Sequence, residues 1–409
     1  MTLPRLLGVL LALTAVPFPV IFPGMHGLGP PGTVWPALWC LTAAVIGILA
    51  LVADYSRPVA VFVGYVALRV VVGLLLGVHE AAQRRALYAL VCVLAGAFLY
   101  ALIARAPQEA GRTLRRVILG IAAVQLVLGM LDVAGVPHGL WQAAHNAGLP
   151  HGLLGHPNHW GLYMALALPA LYAEKTILST KKCVLVVVLG PLLVALSHSM
   201  AAIGGAALVS LLALRQAWPR LRAVPAWAFY MVPAVAIAAA GLALRTLPLG
   251  GRGTVWQLAG EAFVGWPWPY QAFGTNLGSW WLWVSWGQGP LVLGSVAHNF
   301  PPQGYSITWW ETAHNDAGQA VFELGLVGGL LGAWVLAQIL RDIVTEYRSG
   351  SFSWSAGMAV VALVALPWTL AMHQPFLAFP ILVAVARLRA EAYGPSRLPR
   401  GVAARLLET

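Results

Sequence analysis

The sequence predicts an all-α, polytopic integral membrane protein, and three observations carry that prediction. Hydrophobic residues fill 60% of the 409 positions and charged ones only 9%, with a mean hydropathy of +0.78. A chain so poor in charge lacks the polar surface of a water-soluble globule. Its apolar residues fall in unbroken runs of about 15–22, long enough to cross a bilayer as helices, and not in the alternating ~10-residue segments of an outer-membrane barrel. The 24 basic residues sit in short groups between those runs, as loops at a membrane do, so the net charge of +11 argues for topology and against nucleic acid.

In chain order the runs read as about twelve spans, at 6–22, 35–53, 58–77, 86–104, 114–135, 160–173, 183–196, 199–214, 225–246, 316–340, 354–372 and 376–387. Arg5 followed by the first run resembles a cleaved signal, but no small-x-small cleavage site follows it, so it is read as a span. Cys40, Cys92 and Cys183 lie in or beside apolar runs without a CxxC pair, which excludes a disulfide framework. Residues 183–214 are split in two because Pro191 and the polar Ser197, His198 and Ser199 interrupt them. A single helix would also put Lys181 and Lys182 on the opposite side from Arg215, Arg220 and Arg222. The whole chain, 1–409, is taken as one transmembrane domain, with residues 247–313 as an outer segment inside it.

With both termini inside, 19 of the 24 basic residues fall on the cytoplasmic side, as the positive-inside rule expects. The exceptions are Arg69, Arg84, Arg85, Arg245 and Arg252, and an anionic ligand on the outer face accounts for them. All eleven histidines fall on outer loops or outer span ends. The outer segment from about residue 246 to 313 holds nine of the eighteen tryptophans, among them Trp266, Trp268, Trp280, Trp281, Trp283 and Trp286. Indoles anchor at bilayer interfaces and also stack on sugar rings, so this segment is placed along the membrane as the roof of a carbohydrate site.

Residues 311–328 concentrate the polar chemistry just where that segment enters a span. Thr312 or Asn315 can cap the first turn. At helical period Asn315, Gln319 and Glu323 share one face, while Gly325, Gly328, Gly329 and Gly332 form a close-packing seam. Glu323 lies roughly 12 Å along the helix from Asn315, inside hydrocarbon, where a carboxylate needs a partner; an arginine locking two helices together is the plain reading. His314 sits at the water interface, where an imidazole titrating near ~6.5 can accept a proton at neutral pH.

Taken with these residues, several upstream elements resemble the O-antigen ligases and their relatives, the O-antigen polymerases and bacterial protein O-oligosaccharyltransferases. The family pattern is His, then Asn or a similar residue, nine residues, Gly, two residues, and Gly, Thr or Tyr. His314, Asn315, Gly325 and Gly328 match it, with Glu323 two before the first Gly. Arg252 with Trp256, and Gly274 with Gly278, look like the family's Arg-x-x-x-Trp and Gly-rich elements. Gly155, His156, Pro157 and Asn158 resemble its Gly-x-Pro-Asn element. The resemblance covers roughly residues 150–340. It departs at Met200, which follows Ser199 where these proteins often carry an arginine that helps hold the lipid diphosphate. Arg69, then Arg84, Arg85 and Arg245, are the available substitutes.

The resemblance implies a periplasm-facing glycosyltransferase of the bacterial inner membrane. A glycan would pass from undecaprenyl diphosphate to a hydroxyl of lipid A core sugar, with inversion, and with neither cofactor nor metal. His314 would be the base. Arg252, Asn315, Asn158, Glu323 and a second arginine would handle substrate among membrane lipids, with no nucleic acid involved. A growing glycan or a protein Ser/Thr is the alternative acceptor. From other classes, Arg69 and Glu323 within spans also fit a transporter or flippase. His138, His145, His151, His156 and His159 fit a metal or haem site, although Pro157 is expected to disrupt a helical pairing of His156 with His159 and the loop carries no carboxylate.

Overall fold

The computed structural model describes residues 56–75, parts of 86–106, and residues 108–136, 148–173, 180–222, 252–275, 280, 316–348, 353–366 and 375–393. Among them are α-helices and one short 3-10 turn and no strand. Besides a single helical turn at Pro219–Arg222, the helices are α1 (Arg57–Leu75), α2 (Gln108–Val133), α3 (Pro157–Tyr172), α4 (Thr180–Ala195), α5 (Met200–Ala217), α6 (Arg252–Gly265), α7 (Trp268–Phe273), α8 (Asp316–Arg348), α9 (Trp354–Ala365) and α10 (Pro375–Tyr393). Three stretches, Gln108–Val133, Met200–Ala217 and Ala317–Tyr347, are long and apolar enough to cross a membrane. The described residues thus support a membrane-embedded helical protein and not a count of twelve. The expected spans 6–22, 35–53 and 225–246 lie outside them.

The bundle is built around α3, which buries every residue except Asn158, His159 and Leu171. A helix buried on all its sides sits inside other helices. Helices α2, α4, α5, α9 and α10 pack against it. On α2 the buried positions Ala110, Leu114, Ile118, Ala122, Gln125 and Gly129 recur every three or four residues and face α3. Val124, Val127 and Met130 on the same helix are exposed, as are Leu185, Val188, Leu189 and Leu192 on α4. Exposed aliphatic stripes on apolar helices are surfaces suited to lipid.

The expected division of 183–214 is present. Helices α4 and α5 form a hairpin whose turn carries His198 at φ +56°, and Ser199 caps α5 by accepting from the Ala202 N–H. Ser197 binds back to Val194 O at 2.7 Å. Its hydroxyl also presses on Gly161, where an added Cβ would lie 2.1 Å from Ser197 Oγ. Tyr172 and Ser210 share a 2.6 Å hydrogen bond between α3 and α5.

One end of the bundle is closed by a polar network that the charge pattern did not reveal. Arg387, buried on α10, donates to Ala106 O at 2.8 Å and fits over Gly111, whose missing side chain leaves room for it. Ser355 donates to Glu391. Arg389 reaches both oxygens of Asp342 at 3.0 and 3.2 Å, and its guanidinium lies 4.3 Å from the Tyr393 ring centroid. Counting Arg387 and Arg389 only as inward-facing loop charges missed this role.

Trp160 is fully buried and fills the gap between α2 and α3. It donates to Gln125 O at 2.7 Å, and a Cβ at Gly129 would fall 2.4 Å from its indole nitrogen. Gly129→Ala is therefore expected to cost about 1–3 kcal/mol of stability, seen as a lower thermal midpoint in detergent. Gly120→Ala, on the same helix and facing open space, serves as the neutral control.

Candidate functional site

Helix α8 is not continuous. Gly325 sits at φ +71°, ψ −175°, a conformation essentially confined to glycine, and divides the element into a half-helix of residues 316–324 and a long helix from 326 onward. The expected uninterrupted span is corrected here. Glycine at 325 was read as part of a packing seam, and the seam exists: Gly328 lies against Tyr65 and Gly332 against Phe62 of α1. Gly325 itself is the break.

A second glycine faces it. Gly274 ends α7 at φ +76°, ψ −176°, in the same glycine-only region. A Cβ on Gly274 would lie 2.3 Å from Glu323 O and 2.4 Å from Gly325 N; one on Gly325 would lie 2.3 Å from Gly274 N. Each position thus excludes a side chain twice, by its dihedral and by the backbone opposite.

The break releases carbonyls that an intact helix would satisfy. Tyr65 of α1 donates to Leu324 O at 2.7 Å and lies 3.2 Å from Phe273 O; with one hydroxyl proton, the shorter contact takes it. Thr275 donates to Phe322 O at 3.4 Å. Arg69 Nη2 donates to Gly274 O at 3.1 Å, and its Nε is buried without a hydrogen-bond partner among the described residues. Glu323 is 3% exposed and accepts at 3.2 Å from both the Trp280 N–H and the Gln319 side-chain amide. Hydrogen bonds to a charged group contribute about 1.5–3 kcal/mol each when the alternative is burial unpaired. Both of these described partners are neutral donors.

Above the break, Phe322 is held edge-on by Trp266 at 4.5 Å and Trp280 at 4.9 Å between ring centroids. With Ala259 they form an apolar cluster of their own. Both indoles are almost fully buried, so these two hold the segment together and present no face to a sugar. Trp268, 69% exposed, is free to do so or to anchor in lipid. Trp281, Trp283 and Trp286 lie outside the described residues.

Of the residues singled out in the sequence, Arg69 and Glu323 are brought together through Gly274 and Gly325. Arg252 opens α6, which leads into α7 and so to Gly274. His314 and Asn315 immediately precede the first residue of α8 and lie outside the described residues, as do Arg84, Arg85 and Arg245.

Asn158 belongs to a different corner, between α2 and α3. There Gly155 takes φ +64°, and His156 caps α3 by accepting the Asn158 N–H on Nδ1 at 3.1 Å. Asp132 anchors the preceding loop through the N–H groups of His151 and Gly152 at 2.8 and 2.7 Å. Pro157 occupies the first helical position and does not separate the histidines; the rings of His156 and His159 are 5.0 Å apart. Among the described residues no three His, Cys, Asp or Glu form a metal-holding group.

Tyr65 and Thr275 were not singled out in the sequence. The available signal for Tyr65 was its spacing, four before Arg69 on one face of an apolar run.

No protein-family model and no curated protein matches the chain.

Gly325→Ala and Gly274→Ala are each expected to lose at least about 1–3 kcal/mol, because the facing backbone must also retreat. Gly332→Ala, which meets only Phe62 at 3.9 Å, should stay within about ±0.5 kcal/mol. Thermal midpoints of the three variants in one detergent separate these outcomes.

Proposed function

We propose that the protein is a membrane glycosyltransferase that moves a glycan from undecaprenyl diphosphate to an acceptor hydroxyl, with an O-antigen ligase acting on lipid A core sugar as the preferred form. One observation carries the reading: the segment that begins at Arg252 and the helix that begins just after His314 and Asn315 meet where the Gly274 backbone lies on that of Gly325, with Trp266, Thr275 and Trp280 bound beside it. Two sequence elements some sixty residues apart, each resembling the family pattern, thus lead into one contact, which supports reading them as parts of one site.

In the proposed reaction His314 removes the proton from the acceptor hydroxyl as that oxygen attacks the anomeric carbon. The new sugar–oxygen bond forms as the bond to the diphosphate breaks on the opposite face, and the electron pair leaves with the lipid diphosphate. Inversion follows from the single displacement. Arg252 and a second arginine offset the charge growing on the leaving oxygen. Arg69 supplies the second guanidinium in this scheme, held in place by Gly274 O. Asn315 orients the imidazole or the acceptor. In this reading the site faces the periplasm of a bacterial inner membrane, with both termini inside and the charge pattern of the loops set by that orientation. A growing glycan or a protein Ser/Thr as acceptor would use the same donor and the same residues.

The broken helix favours a second reading as well, because transporters place substrate and ions at interrupted spans. Proteoliposomes that move a polyprenyl-linked glycan without any covalent product would establish that reading instead.

The deciding experiment supplies purified protein with a polyprenyl-diphosphate glycan and lipid A core, glycan or peptide acceptors, and identifies the product by mass. His314→Ala should lower turnover by about 10²–10⁴-fold, the usual scale for loss of a general base, while the protein remains folded; unchanged turnover removes the base assignment. Arg252→Ala should act mainly through the donor, raising its KM and slowing transfer.

A further inference from the structure

The half-helix 316–324 is cut from the long part of α8 by Gly325, so its direction is not fixed by helical continuity. Most of its described braces come from the neighbouring outer segment: Thr275 on Phe322 O, the Trp280 N–H on Glu323, and the indoles of Trp266 and Trp280 around Phe322. Half-helix and outer segment therefore form one body. Among the described residues one face of α1 holds this body at the break, through Tyr65 and through Arg69, which donates to Gly274 O. Tyr65 bonds to Leu324 O, the last carbonyl before the break, and reaches Phe273 O at the end of α7. Its ring lies along Gly328, just beyond the break. A single hydroxyl thus spans all three pieces at the point where they could swing.

We infer that Tyr65 is a positioning residue: its hydroxyl fixes the angle of the half-helix that continues from His314 and Asn315, and so sets where the proposed base stands. The inference rests on the transferase reading for its catalytic part and on geometry alone for its mechanical part. Tyr65 touches no reacting atom. It acts by holding Leu324 O; without it the half-helix is free to turn at Gly325, while Arg69 keeps its own bond to Gly274 O.

Tyr65→Phe keeps the ring and removes the tie, and two measurements read the effect. Amide hydrogen exchange over 316–324 should speed up by about tenfold, the consequence of losing one net hydrogen bond, while α3 amides are unchanged. Turnover should fall by about 10–100-fold with donor KM within about twofold, since misplacement near 1 Å is enough to cause such a loss. Phe62→Leu, one turn earlier on the same face, should alter neither. Unchanged exchange in Tyr65→Phe overturns the inference, and so does faster exchange with wild-type turnover. If the wild-type chain transfers glycan to none of the acceptors, the transferase reading and the catalytic part fall, while the exchange measurement still decides whether Tyr65 holds the half-helix.

Discussion

Two glycines facing each other across a gap too narrow for a methyl group set the geometry where α7 meets α8. Gly274 and Gly325 occupy the same rare backbone region, and neither conformation persists without over-determination by its surroundings. Here the surroundings are carbonyl acceptors and the donors aimed at them. Tyr65, Arg69 and Thr275 serve the oxygens that the interrupted helix and the end of α7 leave open. Those oxygens lack the partners an unbroken helix would give them, so the donors are what make the interruption tolerable.

That arrangement explains why chemistry gathers at this end of α8. A continuous helix would carry Gln319 and Glu323 past the bundle at an angle dictated by residues 326–348. The break lets the polar half-helix take its direction from the tryptophan-bearing segment instead, and Glu323 closes the union by accepting from Trp280 and Gln319. The carboxylate inside the apolar region is thereby accounted for as an anchor between segments, a use in which burial strengthens each hydrogen bond it makes.

Periodicity and length were enough to find the long apolar helices, the α4–α5 hairpin and the small-residue face of α8, because each follows from a pattern local in sequence, whereas α6 and α7 fell in a stretch read only as an outer segment. Gly325 was visible as a small residue, but a helical glycine and a helix-breaking glycine look alike until the opposing backbone is known. Tyr65 stayed hidden for a related reason: its partner is a main-chain oxygen 259 residues away, and any residue type could supply that oxygen. At the other end, Arg387 and Arg389 satisfied the charge rule for loops so well that their pairing with Ala106 O and Asp342 left no residue in need of explanation. The tryptophans misled in the opposite direction. Their number suggested exposed sugar platforms, whereas Trp266 and Trp280 are interior wedges.

The two apolar clusters differ greatly in size. The large one joins α2, α3, α4, α5, α9 and α10, while Ala259, Trp266, Trp280 and Phe322 stand apart with a few partly covered neighbours. Cooperative units with little buried apolar area are the ones that open first. Thermal loosening is therefore expected to begin around Phe322 and to leave the helices of the large cluster in place.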